Sequence, residues 1–205
     1  MKKSDTRPRY QSKMSKKILI LLGHPDKDTL NGALASEYGR GAEEAGHEVR
    51  RMNIGDMAFD PILHFGYKQI QELEPDLVAF QENIRWCGHF VMFYPSWWST
   101  MPAILKGLID RTWLPGFAFK FTHGGNMWQK LLKGRSASMI ITSDTAPFIQ
   151  RIVFGDTADE LRKGVLWFAG FSPVRVYKFG YLKHFGMWRR EHMKRKVYRL
   201  GRKAK

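Results

Sequence analysis

Residues 89–111 read HFVMFYPSWWSTMPAILKGLIDR and contain the main signal for the fold. The run 89–94 is apolar without alternation, which is typical of a strand buried on both faces of a parallel sheet. Apolar residues then return at helical spacing from Ile104 to Trp113. Between them lies the turn 95–102, which has prolines at both ends and two adjacent tryptophans. This stretch therefore predicts a strand, a stiff aromatic turn and an amphipathic helix.

The same alternation of strand and helix repeats along the chain. Strand patterns lie over 18–22, 48–54, 89–94, 137–142 and 173–178, and helical patterns over 30–46, 77–86, 104–113, 159–170 and 187–198. Five strands alternating with helices predict an α/β fold, a doubly wound parallel sheet with helices on both faces. In such sheets ligands bind beyond the carboxyl ends of the strands. The turns after strands 1, 3 and 4 are therefore the candidate sites.

Charge is distributed unevenly along the 205 residues, although the net charge is +15. Residues 1–17 carry seven Lys/Arg against one Asp (+6), and residues 175–205 carry twelve against one Glu (+11). The remaining residues, 18–174, hold fifteen basic and seventeen acidic residues and sum to −2. We therefore divide the chain into a basic flexible extension (1–16), a folded domain (17–185) and a basic helix or tail (186–205). Each basic end is either a solvated tail or a weak contact for a membrane surface or an acidic partner.

The composition also limits the location and class of the protein. Cys87 is the only cysteine, which excludes an internal disulfide and suits a reducing compartment such as the cytoplasm. No apolar run approaches the roughly 18 residues of a membrane span. The opening residues lack the apolar core of a secretory signal. Beyond charge, no element that reads nucleic acid is found, so no specific nucleic-acid partner is expected.

The turn after strand 1 reads GHPDKDTLNGA over 23–33. It has neither the three glycines of GxGxxG nor the Gly-Lys-Ser/Thr of a Walker loop. It does supply a hydroxyl from Thr29, an amide from Asn31, an imidazole from His24 and the N–H groups of a helix start, all suited to a phosphate. In the alternative interpretation Asp28 or Thr29 is a plain N-cap and His24 a satisfied turn histidine. Both interpretations stay open on this turn alone.

The turn after strand 3 places Trp97 and Trp98 in a loop, where burial is least expected. A flat aromatic ligand would supply the missing partner. Backbone amides of a stiff turn can bond the polar edge of a ring system while side chains pack on its face.

Taken together, these motifs resemble the NAD(P)H:quinone oxidoreductases of the flavodoxin-like fold. The resemblance covers roughly residues 17–145 and rests on motifs in the family's order: HP with TLN at 24–31, PSWW at 95–98, MPAILKG at 101–107, DR at 110–111 and PGFAF at 115–119. It implies a five-stranded sheet of order 2-1-3-4-5, non-covalent FMN or FAD, NAD(P)H as electron donor and a homodimer with active sites at the subunit interface.

The resemblance also assigns three groups of cofactor-binding residues. They are the flavin phosphate loop (His24, Thr29, Leu30, Asn31, Ala33), the turn bordering the isoalloxazine ring (Pro95, Ser96, Trp97, Trp98) and the loop on the pyrimidine side of the flavin (Thr142, Ser143, Asp144, Thr145).

The segment after strand 4 departs from the family pattern. Family members often have a Gly-Gly pair there, followed by a tyrosine and a histidine that assist proton transfer, whereas this chain reads TSDTAPFIQRIVFGD. The proton-transfer residue is therefore unassigned; Asp144 is available, with an N-cap or turn role as the alternative.

Two further groups of residues receive no catalytic or metal role. The aromatics of the last third could form a dimer interface, a substrate wall or core: Phe148, Phe154, Trp167, Phe171 and Trp188. Five further histidines show no metal-ligand spacing, so no metal site is expected at His64, His89, His123, His184 or His192.

The expected activity is transfer of two electrons as hydride from NAD(P)H, through flavin N5, to a quinone-like acceptor, with both substrates using one pocket in ping-pong kinetics. An alternative is an ancillary flavoprotein subunit of a membrane ion-transport system. A one-electron flavodoxin-type carrier fits less well, because the body is near neutral and the ends are basic.

Overall fold

The computed structural model of the chain describes residues 15–122, 127–181 and 186–205. Its main sheet has five parallel strands in the order β2-β1-β3-β6-β7, which is the predicted order 2-1-3-4-5. The strands are β1 (Lys17–Leu22), β2 (Glu48–Asn53), β3 (His89–Pro95), β4 (Phe119–Phe121), β5 (Trp128–Lys130), β6 (Ser136–Thr142) and β7 (Val174–Phe179). The helices are α1 (Leu30–Glu44), α2 (Pro75–Trp86), α3 (Ala103–Thr112), α4 (Pro147–Phe154) and α5 (Met187–Lys203). The predicted fold is confirmed.

Apolar runs become central strands because both faces of the sheet are covered. In β1, Ile18 and Ile20 face a core shared with α1 and α5, whereas Leu19 and Leu21 face a core shared with α2 and α3. Side chains alternate along a strand, so a strand covered on both sides needs apolar residues throughout. The arrangement leaves the carboxyl ends of β1, β3 and β6 at one edge of the sheet.

The structure corrects several details of the sequence interpretation. Ile54 does not end β2 but begins the 3-10 turn Ile54–Asp56. The helix predicted over 159–170 is present, but it has the π form over Glu160–Trp167. The hairpin of β4 and β5 and the helix α4 were not predicted. Strands of three residues are too short to show an alternating pattern, and α4 has Gln150 as its one buried residue.

The C-terminal helix is packed on the body of the protein. Met193, Val197 and Gly201 of α5 are buried. Met193 and Val197 belong to the same core cluster as residues of α1, and Gly201 lies against the backbone of α1 at Tyr38. The charged segment is therefore a docked helix along residues 187–203. Residues 1–14 of the predicted extension lie outside the described residues.

The aromatic residues of the last third divide into two groups. Phe171 is fully buried and stacks on Trp113, so it belongs to the core. The other four are exposed: Phe148, Phe154, Trp167 and Trp188.

Candidate active site

The turn after β1 is held by hydrogen bonds among its own residues. The Asp26 N–H donates to His24 Nδ1 (2.9 Å), and the Asp28 N–H donates to Asp26 Oδ1 (2.8 Å). Thr29 Oγ1 accepts from the Gly32 N–H (3.3 Å), so Thr29, and not Asp28, is the N-cap of α1. Because His24 Nδ1 accepts a hydrogen bond, the proton of the neutral imidazole is on Nε2. His24 therefore presents a donor on its other side.

Two glycines let this turn close over the start of α1. A Cβ on Gly32 would lie 1.9 Å from the Lys27 carbonyl oxygen, and a Cβ on Gly55 would lie 1.8 Å from that of Pro25. The turn is thus pressed between α1 and the segment that follows β2. Leu30 and Asn31 occupy the first turn of α1, where N–H groups have no intrahelical acceptor and the helix dipole is positive. This geometry suits a phosphate group.

The turn after β3 is a tight two-residue reversal. Trp97 and Thr100 exchange two backbone hydrogen bonds, of 2.9 and 3.1 Å. The two residues between them, Trp98 and Ser99, have φ of 50° and 64°. Residues other than glycine rarely adopt this left-handed conformation, and such strain concentrates at functional sites. Trp98 is 99% exposed, whereas Trp97 is 44% exposed.

Three loops meet at this edge through direct contacts. The Asn31 amide donates to Thr142 Oγ1 (2.9 Å), and the Ser96 N–H donates to the Thr142 carbonyl (2.7 Å). The rings of His24 and Trp97 meet edge to face, with centroids 5.3 Å apart. The turns after β1, β3 and β6 therefore form one site.

The remaining predicted residues occupy the same edge in less direct roles. Pro95 is buried at the end of β3, and Ala33 starts the hydrogen-bond ladder of α1 by donating to the Thr29 carbonyl. In the loop after β6, Ser143 Oγ donates to the Thr145 carbonyl (2.7 Å). Asp144 is exposed and does not cap α4, since the N-cap of that helix is Ala146. The N-cap alternative for Asp144 is therefore wrong.

The donors and acceptors of the site fit a flavin. Asn31 Oδ1 is buried and has no hydrogen-bond partner within the described part of the chain. A buried acceptor of this kind is costly unless a ligand donates to it, and the hydroxyls of a ribityl chain are such donors. The helix start suits the phosphate, and the tryptophan turn offers aromatic faces and backbone N–H groups to a flat ring. Among the described residues, no group of His, Cys, Asp and Glu is arranged to hold a metal ion.

Comparison with known proteins identifies the family of the chain. The family model described as "Flavodoxin-like fold" matches residues 16–199. Human ribosyldihydronicotinamide dehydrogenase [quinone] is 30% identical over 185 residues, which cover 78% of this chain and 79% of the relative. A ribosyldihydronicotinamide dehydrogenase-like protein of Penicillium crustosum is 29% identical over 188 residues, 77% of this chain and 70% of the relative. The chain belongs to the NAD(P)H:quinone oxidoreductase family of the flavodoxin-like fold.

A solved structure has a similar fold. Smu.1420 from Streptococcus mutans UA159 superposes with a TM-score of 0.79, is 28% identical, and covers 91% of this chain and 99% of its own. The relatives named above are dehydrogenases or like them, and the chain is accordingly an oxidoreductase. Within the part that the structure describes, no helix is long and apolar enough to cross a membrane.

Two residues of this oxidoreductase site were missed by sequence reasoning. Gln150 of α4 is buried and donates to Ser96 Oγ (2.9 Å), which ties α4 to the tryptophan turn. Glu160 Oε2 accepts from Thr100 Oγ1 (2.9 Å) at the other side of that turn. Burial, with help from the Glu160 and Asp156 carboxylates, raises the pKa of the neighbouring Tyr94, so its phenol stays neutral.

The histidines that received no role divide by position. His89 is fully buried with Nδ1 2.8 Å from Ser136 Oγ, and His64 is exposed with Nε2 2.6 Å from Asp60. His192 is exposed and stacks on Trp188. His123 and His184 lie outside the described residues.

Proposed function

We propose that this chain is a flavin-dependent NAD(P)H:quinone oxidoreductase that binds FMN or FAD non-covalently. The observation that carries the proposal is the joining of three loops, in which Asn31 bonds Thr142, Thr142 bonds Ser96 and His24 touches Trp97. These contacts place a phosphate-type helix start and an aromatic turn in one site. Both relatives named above are ribosyldihydronicotinamide dehydrogenases or like them, and the human name includes the quinone acceptor.

Each loop has a distinct role in holding the cofactor. The N–H groups at the start of α1 and the Nε2 proton of His24 bind the phosphate. Thr29 supports the phosphate site indirectly by holding the loop, because its hydroxyl caps α1. The backbone of Pro95, Ser96, Trp97 and Trp98 borders the ring, and the N–H groups of the loop 142–145 face its pyrimidine side.

The cofactor supplies two-electron hydride chemistry between NAD(P)H and a quinone-like acceptor when bound. The protein holds the ring beside the exposed Trp98, and loop N–H groups offset negative charge that develops on the pyrimidine side. Donor and acceptor use the same open face in turn. Initial-rate plots against NAD(P)H at several quinone concentrations should therefore give parallel lines, as ping-pong kinetics requires; intersecting lines would contradict the shared pocket.

A homodimer is the second part of the proposal. Helix α4, which Gln150 joins to the tryptophan turn, exposes five apolar side chains: Phe148, Ile149, Ile152, Val153 and Phe154. Exposed apolar patches of this kind mark surfaces that another protein covers, and a second copy of the chain would bring that patch against its own. In light scattering, Ile152→Glu should shift the dimer to monomer, whereas Arg151→Glu, an exposed change on the same helix, should not.

The cytoplasm is the proposed location. The single cysteine, Cys87, is buried and unpaired, which suits a reducing compartment.

The deciding experiment is cofactor analysis of the purified protein. We expect yellow protein, release of FMN or FAD on denaturation, and bleaching of the flavin band on adding NAD(P)H. Reconstitution of stripped protein with each flavin identifies the preferred one. Colourless protein that takes up neither flavin would refute the proposal.

A further inference from the structure

The rotation of α5 about its own axis is fixed by close packing on α1. A Cβ on Gly41 of α1 would lie 2.3 Å from the Tyr198 carbonyl oxygen, and a Cβ on Gly201 of α5 would lie 2.1 Å from that of Tyr38. The Arg40 guanidinium also lies 4.4 Å from the centre of the Tyr198 ring. The two helices therefore approach closely at glycines, and α5 presents one defined face to the outside.

That outward face is basic along its length and carries an aromatic residue at its start. It consists of exposed residues spaced by three or four positions: Trp188, His192, Arg195, Arg199 and Lys203. Eight Lys/Arg and one Glu give α5 a charge of +7. Glu191 pairs with Lys194, and Arg202 lies near Glu44. Arg195, Arg199 and Lys203 have no carboxylate partner within the described residues, so their charge is directed at the solvent.

The first turn of α5 adds apolar surface beside these cations. Met187 and Trp188 are 86% and 70% exposed. Trp188 also borders a cavity of about 420 Å³ whose basic lining includes Arg189 and Lys196. A bulky apolar residue flanked by cations is the composition of a surface that enters the headgroup region of a bilayer.

The structure also brings the first described residues of the chain against the end of α5. Lys16 Nζ donates to the Ala204 carbonyl (3.4 Å), so the N-terminal segment joins the described fold at the end of α5. Lys16 thus adds its charge to the +7 of α5, whereas residues 18–174 sum to −2. The resulting charge asymmetry orients the protein toward a polyanionic surface.

We propose that the outward face of α5 docks on an anionic phospholipid membrane, with Met187 and Trp188 entering the headgroup region. Lipid fits better than nucleic acid because Met187 has no ring to stack on a base, whereas both side chains gain from entering an apolar layer. The surface is formed by the polypeptide alone and does not rest on the flavin proposal.

The test is co-sedimentation of the full-length protein with vesicles of pure phosphatidylcholine and of phosphatidylcholine containing about one third phosphatidylglycerol. We expect binding to the anionic vesicles only, weakening as salt is raised. Combined Arg195→Glu, Arg199→Glu and Lys203→Glu substitutions should lower the partition coefficient by about a hundredfold or more, since each cation near such a surface contributes about fivefold. Trp188→Ala should weaken binding severalfold with an unchanged salt dependence.

The matched control makes the same change in net charge elsewhere, at exposed Lys68, Lys120 and Lys133, each replaced by Glu. It should keep most of the binding, and circular dichroism confirms that each variant is folded. The proposal is overturned if the two triple variants lose binding equally, if neutral vesicles bind as well, or if the protein binds RNA but not anionic vesicles. Since vesicle binding needs no flavin, colourless protein that still binds would separate the two proposals.

Discussion

Two histidines at opposite ends of the same sheet have opposite environments. His24 follows β1 at the carboxyl edge, is partly exposed, accepts from a backbone N–H through Nδ1 and touches Trp97. His89 starts β3 at the amino edge, is fully buried and is hydrogen-bonded through Nδ1 to Ser136. One ring faces a site with a free donor, and the other is enclosed by the protein.

The difference arises from the connections at each edge. At the amino edge the chain enters the strands through packed segments, and Arg135 donates to the Ile84 and Arg85 carbonyls at the end of α2. At the carboxyl edge the chain turns into helix starts, which leave N–H groups for a ligand. Parallel sheets of this kind therefore concentrate binding chemistry at one edge and packing at the other.

The largest expected effect comes from adding a methyl group at Gly32, next to the turn at the carboxyl edge. In Gly32→Ala the new Cβ would lie 1.9 Å from the Lys27 carbonyl, so the turn after β1 must move. We expect a loss of about 3 kcal/mol in the free energy of unfolding and loss of flavin. The control is Gly39→Ala in the same helix, where the Cβ meets Ile20 Cδ1 at 3.4 Å. Urea unfolding measures the stability of each variant, and flavin absorbance measures its bound cofactor. If Gly39→Ala loses as much stability and flavin as Gly32→Ala, the turn does not have the proposed role.

The next effect concerns acid stability and His89. Burial, reinforced by Lys16 and Arg175, lowers the pKa of His89 from 6.5 to about 3. The unfolded chain then binds a proton that the folded chain does not, so this contribution is complete above pH 6.5 and is lost as the pH falls toward 3. The free energy of unfolding should fall by about 1.4 kcal/mol per pH unit in that window. In urea titrations from pH 7 to 5, His89→Gln should flatten the slope, and parallel slopes would show that His89 is not the cause.

The sequence was enough to predict which residues lie at the carboxyl edge, but not the hydrogen bonds that support them there. The apolar runs of β1 and β3 and the parallel topology are enough to bring residues such as Asn31 and Thr142 together. The bonds of Gln150 to Ser96 and of Thr100 to Glu160 join residues 54 and 60 positions apart, and neither residue type marks such a contact in advance. The left-handed turn at Trp98 was equally hidden, because tryptophan carries no preference for that conformation.

A smaller effect is expected at His24. His24→Ala removes the Nε2 donor, the acceptor for the Asp26 N–H and the ring contact with Trp97. We expect the flavin dissociation constant to rise about tenfold, the effect of losing one hydrogen bond to a charged group. His24→Asn keeps a short acceptor for the loop but cannot reach the ligand as the imidazole does. Fluorescence titration of stripped protein should therefore place both variants near the same weakened affinity; wild-type affinity in His24→Asn would mean that His24 only supports the loop.

The smallest expected change in stability is at Trp98, where two substitutions distinguish the role of the strained backbone from that of the indole ring. Trp98 holds a left-handed φ of 50° with its side chain almost fully exposed, so the fold gains little from the indole while the backbone is strained. Trp98→Gly should raise the free energy of unfolding by about 1 kcal/mol, because glycine adopts this conformation without a Cβ clash. Trp98→Ala keeps the strain and should leave stability unchanged. Both variants lose the ring, so if Trp98 borders the acceptor, the quinone KM should rise equally in both. If the quinone KM instead differs between the two variants, as their stability does, the strained turn and not the indole shapes the pocket.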